Sequence, residues 1–290
     1  MGKRVLVIGG PTASGKTRLA IEVARHYGTE IVSADSRQFY REMRIGNARP
    51  TPEELSTVPH HFIADRSLTS PLSAGRYAAE ARNRLDGIFC NHDIAVVVGG
   101  SGLFIRALCG GLDEFPEVSE NARRRVMEIE SRDGLEGLRT ALAQHDPAYY
   151  DRVDRHNGRR LQRALRVCFT EGKPYSSYLG NAAAPDFSPH YFCRSPARDE
   201  LYARIERRVD QMINEGLEAE ARQLLPHQDL PVLRTVGYQE WWPYFAGDYG
   251  KDRAIELIKR NSRRYAKRQY TWFRDYASVA SVRDIQDKLG

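Results

Sequence analysis

Residues 5–17 read VLVIGGPTASGKT, a β-branched run, Val5-Leu6-Val7-Ile8, followed by a loop in which Gly10, Gly15, Lys16 and Thr17 fit the spacing G-x-x-x-x-G-K-[ST]. Arg18-Leu19-Ala20-Ile21 then opens a helical period. Strand, glycine loop and helix in this order hold a phosphate. In the loop of Gly10, Pro11, Thr12, Ala13, Ser14 and Gly15 the glycines let backbone N–H groups turn in on an anion, Lys16 adds a point charge, and Thr17 offers a hydroxyl to magnesium. A turn without a ligand has no need of the Lys and the Thr. ATP is the default occupant from the pattern alone.

Outward from the loop, strand and helix signals alternate. Glu30–Ser33 and Ile94–Val98 are apolar runs of strand length, and 16–27 and 74–90 carry helical period. Apolar strands separated by helices predict an α/β fold, a P-loop NTPase-like parallel sheet buried on both faces. After Pro116 the texture changes. From Ser119, a plausible helix N-cap, to about Phe169 the chain is charged and helical, broken at Gly134, Gly137 and Pro147, with no strand signal. This reads as a helical insertion, so the chain divides into 1–115 (first part of the core), 116–190 (insertion) and 191–290 (rest of the core, with basic helices). Gly180 to Pro189 reads as loop and Tyr191-Phe192-Cys193 as a further short strand. Asp199 to Leu225 is expected to form one long helix with Leu201, Ile205, Val209, Met212, Ile213 and Leu217 toward the core. A last helix is expected from Asp252 to about Asp275.

With 44 Lys and Arg against 38 Asp and Glu, the formal charge is +6, which suits a polyanionic partner. The four cysteines, Cys90, Cys109, Cys168 and Cys193, are too scattered for a zinc site and are expected as reduced thiols in a cytoplasmic protein. No apolar run is long enough to span a bilayer, and Met1-Gly2-Lys3-Arg4 leads straight into a strand, so neither an export signal nor a membrane anchor is expected. The pair His60-His61 has no partner spacing that suggests a metal and is given no role.

Three constellations carry chemistry. Asp35 lies at the end of the strand after the loop's helix, and in a parallel sheet the carboxyl ends of the strands open on one crevice. There it serves as a magnesium ligand or as an acceptor for a nucleophile's proton. Arg159-Arg160-Leu161-Gln162-Arg163 spaces arginines at three and four, suited to a leaving diphosphate or to a nucleic-acid backbone, with an ordinary solvated helix face as the competing reading. Arg204, Arg207 and Arg208 invite the same comparison. The tail Lys267-Arg268-Gln269-Tyr270-Thr271-Trp272-Phe273-Arg274 interleaves cations that hold phosphates with rings on which unstacked bases lie.

In one order, GPTASGKT at 10–17, DSRQFY at 35–40, VGGSGLF at 98–104, RRLQRAL at 159–165 and KRQYTWFR at 267–274 resemble the bacterial tRNA dimethylallyltransferases along nearly the whole chain. The resemblance implies transfer of a dimethylallyl group from its diphosphate to N6 of adenosine 37, beside the anticodon of tRNAs that read codons beginning with U. Magnesium is the implied cofactor, the tRNA anticodon stem loop and dimethylallyl diphosphate the implied partners, and a monomer the expected state. It implies Asp35 as general base, and Lys16 and Thr17 on the diphosphate and magnesium. The N–H groups of Thr12 to Gly15 would complete the cradle, and Arg160 and Arg208 would neutralise the departing diphosphate. Segments that touch tRNA in the family correspond here to Asp35, Ser36, Arg37 and Gln38; Ser101, where Thr is usual; Arg123; Arg159, Arg160, Leu161, Gln162 and Arg163; Arg234, Gly237, Tyr238 and Gln239; and Lys267, Arg268, Tyr270, Trp272 and Arg274. The chain departs from the family pattern at Gln239, often Arg, and at Phe39, more usually aliphatic.

Two other readings compete. A small P-loop kinase would use Asp35 to activate a hydroxyl and the insertion as a lid. A non-catalytic RNA-binding ATPase would need a carboxylate at the end of a hydrophobic strand, and Ile94–Val98 ends instead in Gly99-Gly100-Ser101.

Overall fold

The computed structural model describes residues 2–111, 113, 115–181 and 184–289. They fall into two units, one made of 1–109 with 185–290 and the other of 110–184. In the first, six parallel strands form a sheet: β1 (Arg4–Gly9), β2 (Ile31–Ser33), β3 (His60–His61), β4 (Ile94–Gly99), β5 (Ser188–Cys193) and β6 (Ala277–Ser278), in the order β3-β2-β4-β1-β5-β6. Alternate residues of β1 feed opposite cores. Val5 and Val7 pack with Val32 and Val97 on one face, and Leu6 and Ile8 with Val96 and Val98 on the other. Each such fully buried side chain contributes about 1.5–3 kcal/mol.

The helices follow the periods read from the sequence, with instructive exceptions. α1 (Lys16–His26), α3 (Ala74–Phe89) and α11 (Lys251–Trp272) lie where expected. The expected helix from Asp199 to Leu225 is two, α8 (Arg198–Asn214) and α9 (Leu217–Leu224), because Gly216 adopts φ 99° between them. α2 (Pro52–Thr57), α4 (Gly102–Gly110), α10 (Trp241–Ala246) and α12 (Val282–Leu289) complete this unit. β5 begins at Ser188, so the expected boundary at 190 falls inside a strand. Pro189 is accommodated because β6 pairs only with Phe192 and Cys193, leaving that end of β5 free on one side. Of the expected loop from Gly180 to Pro189, Ala182 and Ala183 lie outside the described residues.

The second unit is helical. α5 (Glu120–His145) is capped by the Ser119 hydroxyl and interrupted at Gly134, whose φ 60° and ψ −145° no helix allows. Gly137 is not a second break; a Cβ there would come within 3.1 Å of the Ile129 side chain, so it serves a close approach. Asp146 caps α6 (Pro147–Tyr150) and, almost fully buried, also accepts from the Ser176 amide and hydroxyl. α7 (Gly158–Glu171) packs Leu161, Ala164, Leu165 and Cys168 against Val126, Leu138 and Leu142.

Candidate active site

Adjacent parallel strands deliver the site in the first unit. β1 runs into the phosphate loop, β2 ends two residues before Asp35, and β4 ends two residues before Ser101. Gly10 (φ 148°) and Gly15 (φ 86°) take conformations that favour glycine, and a Cβ on Gly10 would lie 2.5 Å from the Arg194 carbonyl. Ala13 holds φ 61° without that freedom, over-determined by its packing on Leu201, Ile205 and Ala266.

Two arginines one turn apart on α8 reach the loop. Arg204 donates to the Ser14 carbonyl at 3.5 Å; Arg208 donates to the Thr12 hydroxyl at 3.3 Å and to the Ala48 carbonyl at 2.8 Å. Asp35 makes a local turn in which its Oδ1 accepts from the Arg37 N–H at 3.2 Å. Arg37 donates to the Val236 carbonyl at 3.2 Å and stacks 4.3 Å over the Tyr265 ring. The Ser101 hydroxyl accepts the Ser36 N–H and donates to the Ser36 hydroxyl, tying the ends of β4 and β2. Asp35, Arg37, Thr12 and Arg208 line one partly enclosed cleft.

Desolvation sets the electrostatics. Burial pushes the Lys16 ammonium down to about 8 despite the pull of Asp35, with Arg208 and Arg37 adding to the depression. Burial likewise lowers Arg208 to about 10, again against Asp35. Arg37 and Arg208 thus share the cleft with one carboxylate, the buried Lys16 ammonium interacts with them, and an added anion relieves the repulsion among the three cations. The Ser14 hydroxyl, buried within the loop, has no partner among the described residues.

Several expectations need correction. The cradle is not built from every amide between Thr12 and Gly15, since the Thr12 N–H is engaged by Gln269 and the Ser14 N–H turns back on the Pro11 carbonyl. Tyr238 is fully buried and donates to Glu220 at 2.7 Å, and Gly237 beside it is buried in a turn at φ 97°. The Leu161 side chain lies in the core of the helical unit. Burial takes the side chains of Tyr238 and Leu161 out of reach of RNA, while Gly237 lines the same cleft as Asp35. Phe39 is also core, stacked on Tyr77 at 5.5 Å and tilted against Phe104 at 5.6 Å. Gln38 donates to the Ala48 carbonyl, Gln239 to Glu240 and Gln162 to Glu130.

Lys267, Arg268, Tyr270, Trp272 and Arg274 are exposed, as is Arg234 in the loop before Tyr238. In the helical unit Arg123, Arg159, Arg160 and Arg163 are exposed on α5 and α7. The sequence reading missed Gln269, Tyr265 and the loop contact of Arg204. The available signal was the period Ile258, Ser262, Tyr265, Gln269 along α11, where polar residues occupy a face otherwise given to core.

A phosphate loop, a carboxylate and desolvated cations at the carboxyl ends of neighbouring parallel strands define a P-loop protein equipped for group transfer. The chain belongs to the IPP transferase family, whose sequence profile matches residues 38–276. It is 46% identical over 276 residues to the tRNA dimethylallyltransferase of Christiangramia forsetii, covering 94% of this chain and 91% of that one. With tRNA dimethylallyltransferase 1 of Bacteroides fragilis it shares 41% over 289 residues, covering 99% and 95%. The crystal structure of the full-length tRNA isopentenylpyrophosphate transferase of Bacillus halodurans superposes with a TM-score of 0.72 at 32% identity, covering 99% of this chain and 95% of that one. A eukaryotic dimethylallyltransferase acting on tRNA shares the fold, with a TM-score of 0.81 at 24% identity over 93% of this chain and 69% of its own. Among the described residues no helix is long and apolar enough to cross a membrane, and the four cysteines are free thiols.

Proposed function

We propose that the chain transfers a dimethylallyl group from dimethylallyl diphosphate to N6 of adenosine 37, beside the anticodon of tRNAs that read codons beginning with U. The products are N6-(dimethylallyl)adenosine and diphosphate. The observation that carries this reading is the pairing, in one cleft, of a single carboxylate, Asp35, with the cations Arg37 and Arg208, and the buried Lys16 ammonium that interacts with all three. The N6 lone pair attacks the allylic carbon, the carbon–oxygen bond breaks with its electron pair leaving on the diphosphate, and the N6 proton passes to Asp35. Lys16 and Arg208 neutralise the leaving group, and the half-buried cleft limits water. To reach it the adenine leaves its stack. The exposed cations and rings at Lys267, Arg268, Tyr270 and Trp272 supply phosphate contacts and stacking surfaces, and Arg123, Arg159, Arg160 and Arg163 add charge on the helical unit.

The donor set suits magnesium: a loop hydroxyl at Thr17, the unpartnered Ser14 hydroxyl and the ligand's own phosphate oxygens match an ion that takes few protein ligands and keeps its waters. When bound, it neutralises charge on the diphosphate oxygens. Free thiols support a reducing, cytoplasmic setting. The test is transfer of labelled dimethylallyl diphosphate to an unmodified anticodon stem loop, with wild type beside Asp35→Ala. Label that enters the RNA and is lost in the variant supports the reaction and its base; ATP consumed with no label in RNA would make this a kinase.

A further inference from the structure

Among the described residues of α11, Gln269 alone is both polar and buried, at 6% exposure. Both ends of its amide are committed. Oε1 accepts the Thr12 N–H at 2.9 Å, and Nε2 donates to the Gly100 carbonyl at 2.9 Å. The contact needs glycine at 100, because a Cβ there would sit 2.3 Å from Nε2. The same point lies 3.5 Å from Asp35 Oδ2, so the Gln269 amide and the Asp35 carboxylate flank one turn.

This divides the loop into two chemically different ends. At one end the first turn of α1 presents the orphan amides that every helix start carries, with Lys16 beside them. At the other, Thr12 faces the cleft with its amide spent on Gln269, and beside it lie the Arg208 guanidinium, held on the Thr12 hydroxyl, and two acceptors, the Gln269 carbonyl oxygen and the Asp35 carboxylate. A phosphate at the α1 end meets donors. A phosphate pushed out to the Thr12 end meets the Arg208 cation but finds no free Thr12 amide and approaches two acceptors.

We propose that Gln269 sets the number of phosphates the loop accepts: by withholding the Thr12 amide it shortens the cradle to a diphosphate and disfavours a triphosphate. The inference deepens the prenyl diphosphate reading of the same site and rests on it. It gives a physical reason for a nucleotide-type loop to decline the ligand its pattern suggests.

Pyrophosphate and tripolyphosphate, titrated calorimetrically in excess magnesium without RNA, test this. Wild type is expected to prefer pyrophosphate by at least about tenfold, the effect of one amide gained or lost on a charged ligand. Gln269→Met keeps the volume and removes both hydrogen bonds; Gly100→Ala evicts the amide by a different route. Both should narrow the preference to about threefold or less, mainly by gaining tripolyphosphate. Should either unfold, Gln269→Glu retains an acceptor for Thr12 and adds a negative charge, and it should widen the preference. Equal weakening of both ligands in the folded variants, an unchanged ratio, or no preference in wild type would each overturn the proposal. Prenyl transfer by wild type is measured separately: phosphate discrimination without transfer would remove the reaction and leave the discrimination standing, whereas transfer without discrimination would do the reverse.

Discussion

Arg208 donates to the Thr12 hydroxyl at 3.3 Å, so a cation supplied by α8 sits on the lip of a phosphate loop 196 positions earlier in the chain. Arg208 also holds the Ala48 carbonyl, which fixes its guanidinium before any ligand arrives. Loss of such a preorganised group costs transition-state stabilisation more than ground-state affinity. Arg208→Ala is expected to lower kcat about 10²-fold, and Arg208→Lys to recover only part of it, since an ammonium cannot keep both contacts. Steady-state kinetics with saturating RNA decide this; a change confined to KM would contradict it.

Lys16 gives the site a pH signature. It titrates at about 8 in the folded chain against an ordinary 10.5, chiefly because it is desolvated. Below both values the folded chain bears the cost of a buried charge; between them the unfolded chain holds the extra proton, so this group makes stability rise as pH climbs through about 8. Ligand affinity runs the other way, because only the ammonium pairs with an anion. Pyrophosphate binding should weaken above pH 8 and, at about pH 8.5, take up a proton. Calorimetry in two buffers of different ionisation enthalpy measures that uptake, and Lys16→Met should abolish it.

Two glycines in the first unit should behave oppositely. A Cβ on Gly99 would lie 2.3 Å from the Ala34 carbonyl, a backbone atom with nowhere to go, whereas one on Gly87, inside α3, meets nothing within 4 Å. Gly99→Ala is expected to destabilise by about 3 kcal/mol or more. Gly87→Ala should stabilise by about 0.5–1 kcal/mol through helix propensity. Denaturant unfolding of the two variants makes the comparison.

In the helical unit the pivotal polar residue is Asp146. Its carboxylate receives the Tyr149 amide and both donors of Ser176, and it is 1% exposed. Asp146→Ala removes a helix cap and leaves buried donors unpaired, at a cost of about 2–4 kcal/mol. Hydrogen exchange should show protection lost first around 146–150 and 175–178. An unchanged exchange pattern there would mean the carboxylate is not holding the two segments together.

The exposed pair Lys267 and Arg268 should act through phosphate contacts. Replacing both with alanine should leave pyrophosphate binding intact, weaken RNA binding at every sequence tested, and reduce the slope of log affinity against log salt by about one for each residue. Filter binding across a salt series reads this directly. An unaltered slope would place the RNA elsewhere.

The four central strands and the phosphate loop were legible because they rest on local rules: β-branched runs of strand length, glycine where φ is positive, and a helical period after the lysine; the two-residue edge strands β3 and β6 were too short to leave such a signal. Asp35 followed from where strand ends must point, whereas Ser101 came from the resemblance to the family. Buried contacts between distant segments were not legible in this way. Tyr238 and Leu161 sit in stretches rich in arginine and glutamine, and nothing in those stretches tells a core-facing residue from its exposed neighbours until Glu220 or Val126 is brought against them. Gln269 was hidden for the same reason, one inward residue in a string of outward cations. Gly216 escaped notice because the apolar period continues across it on both sides.

The bond from the Thr12 amide to Gln269 spans 257 positions, and its lateness in the order of synthesis has a consequence. A ribosome releases the loop's residues long before the residue that braces them, at about 5–20 residues each second. Through the synthesis of the 257 positions that separate them the nascent chain therefore displays the full phosphate-loop sequence without the brace that gives it its fitted width. Any ribonucleoside triphosphate the growing polypeptide meets in that interval encounters an unfinished loop, and discrimination begins only when α11 emerges and folds back onto a strand made many seconds before.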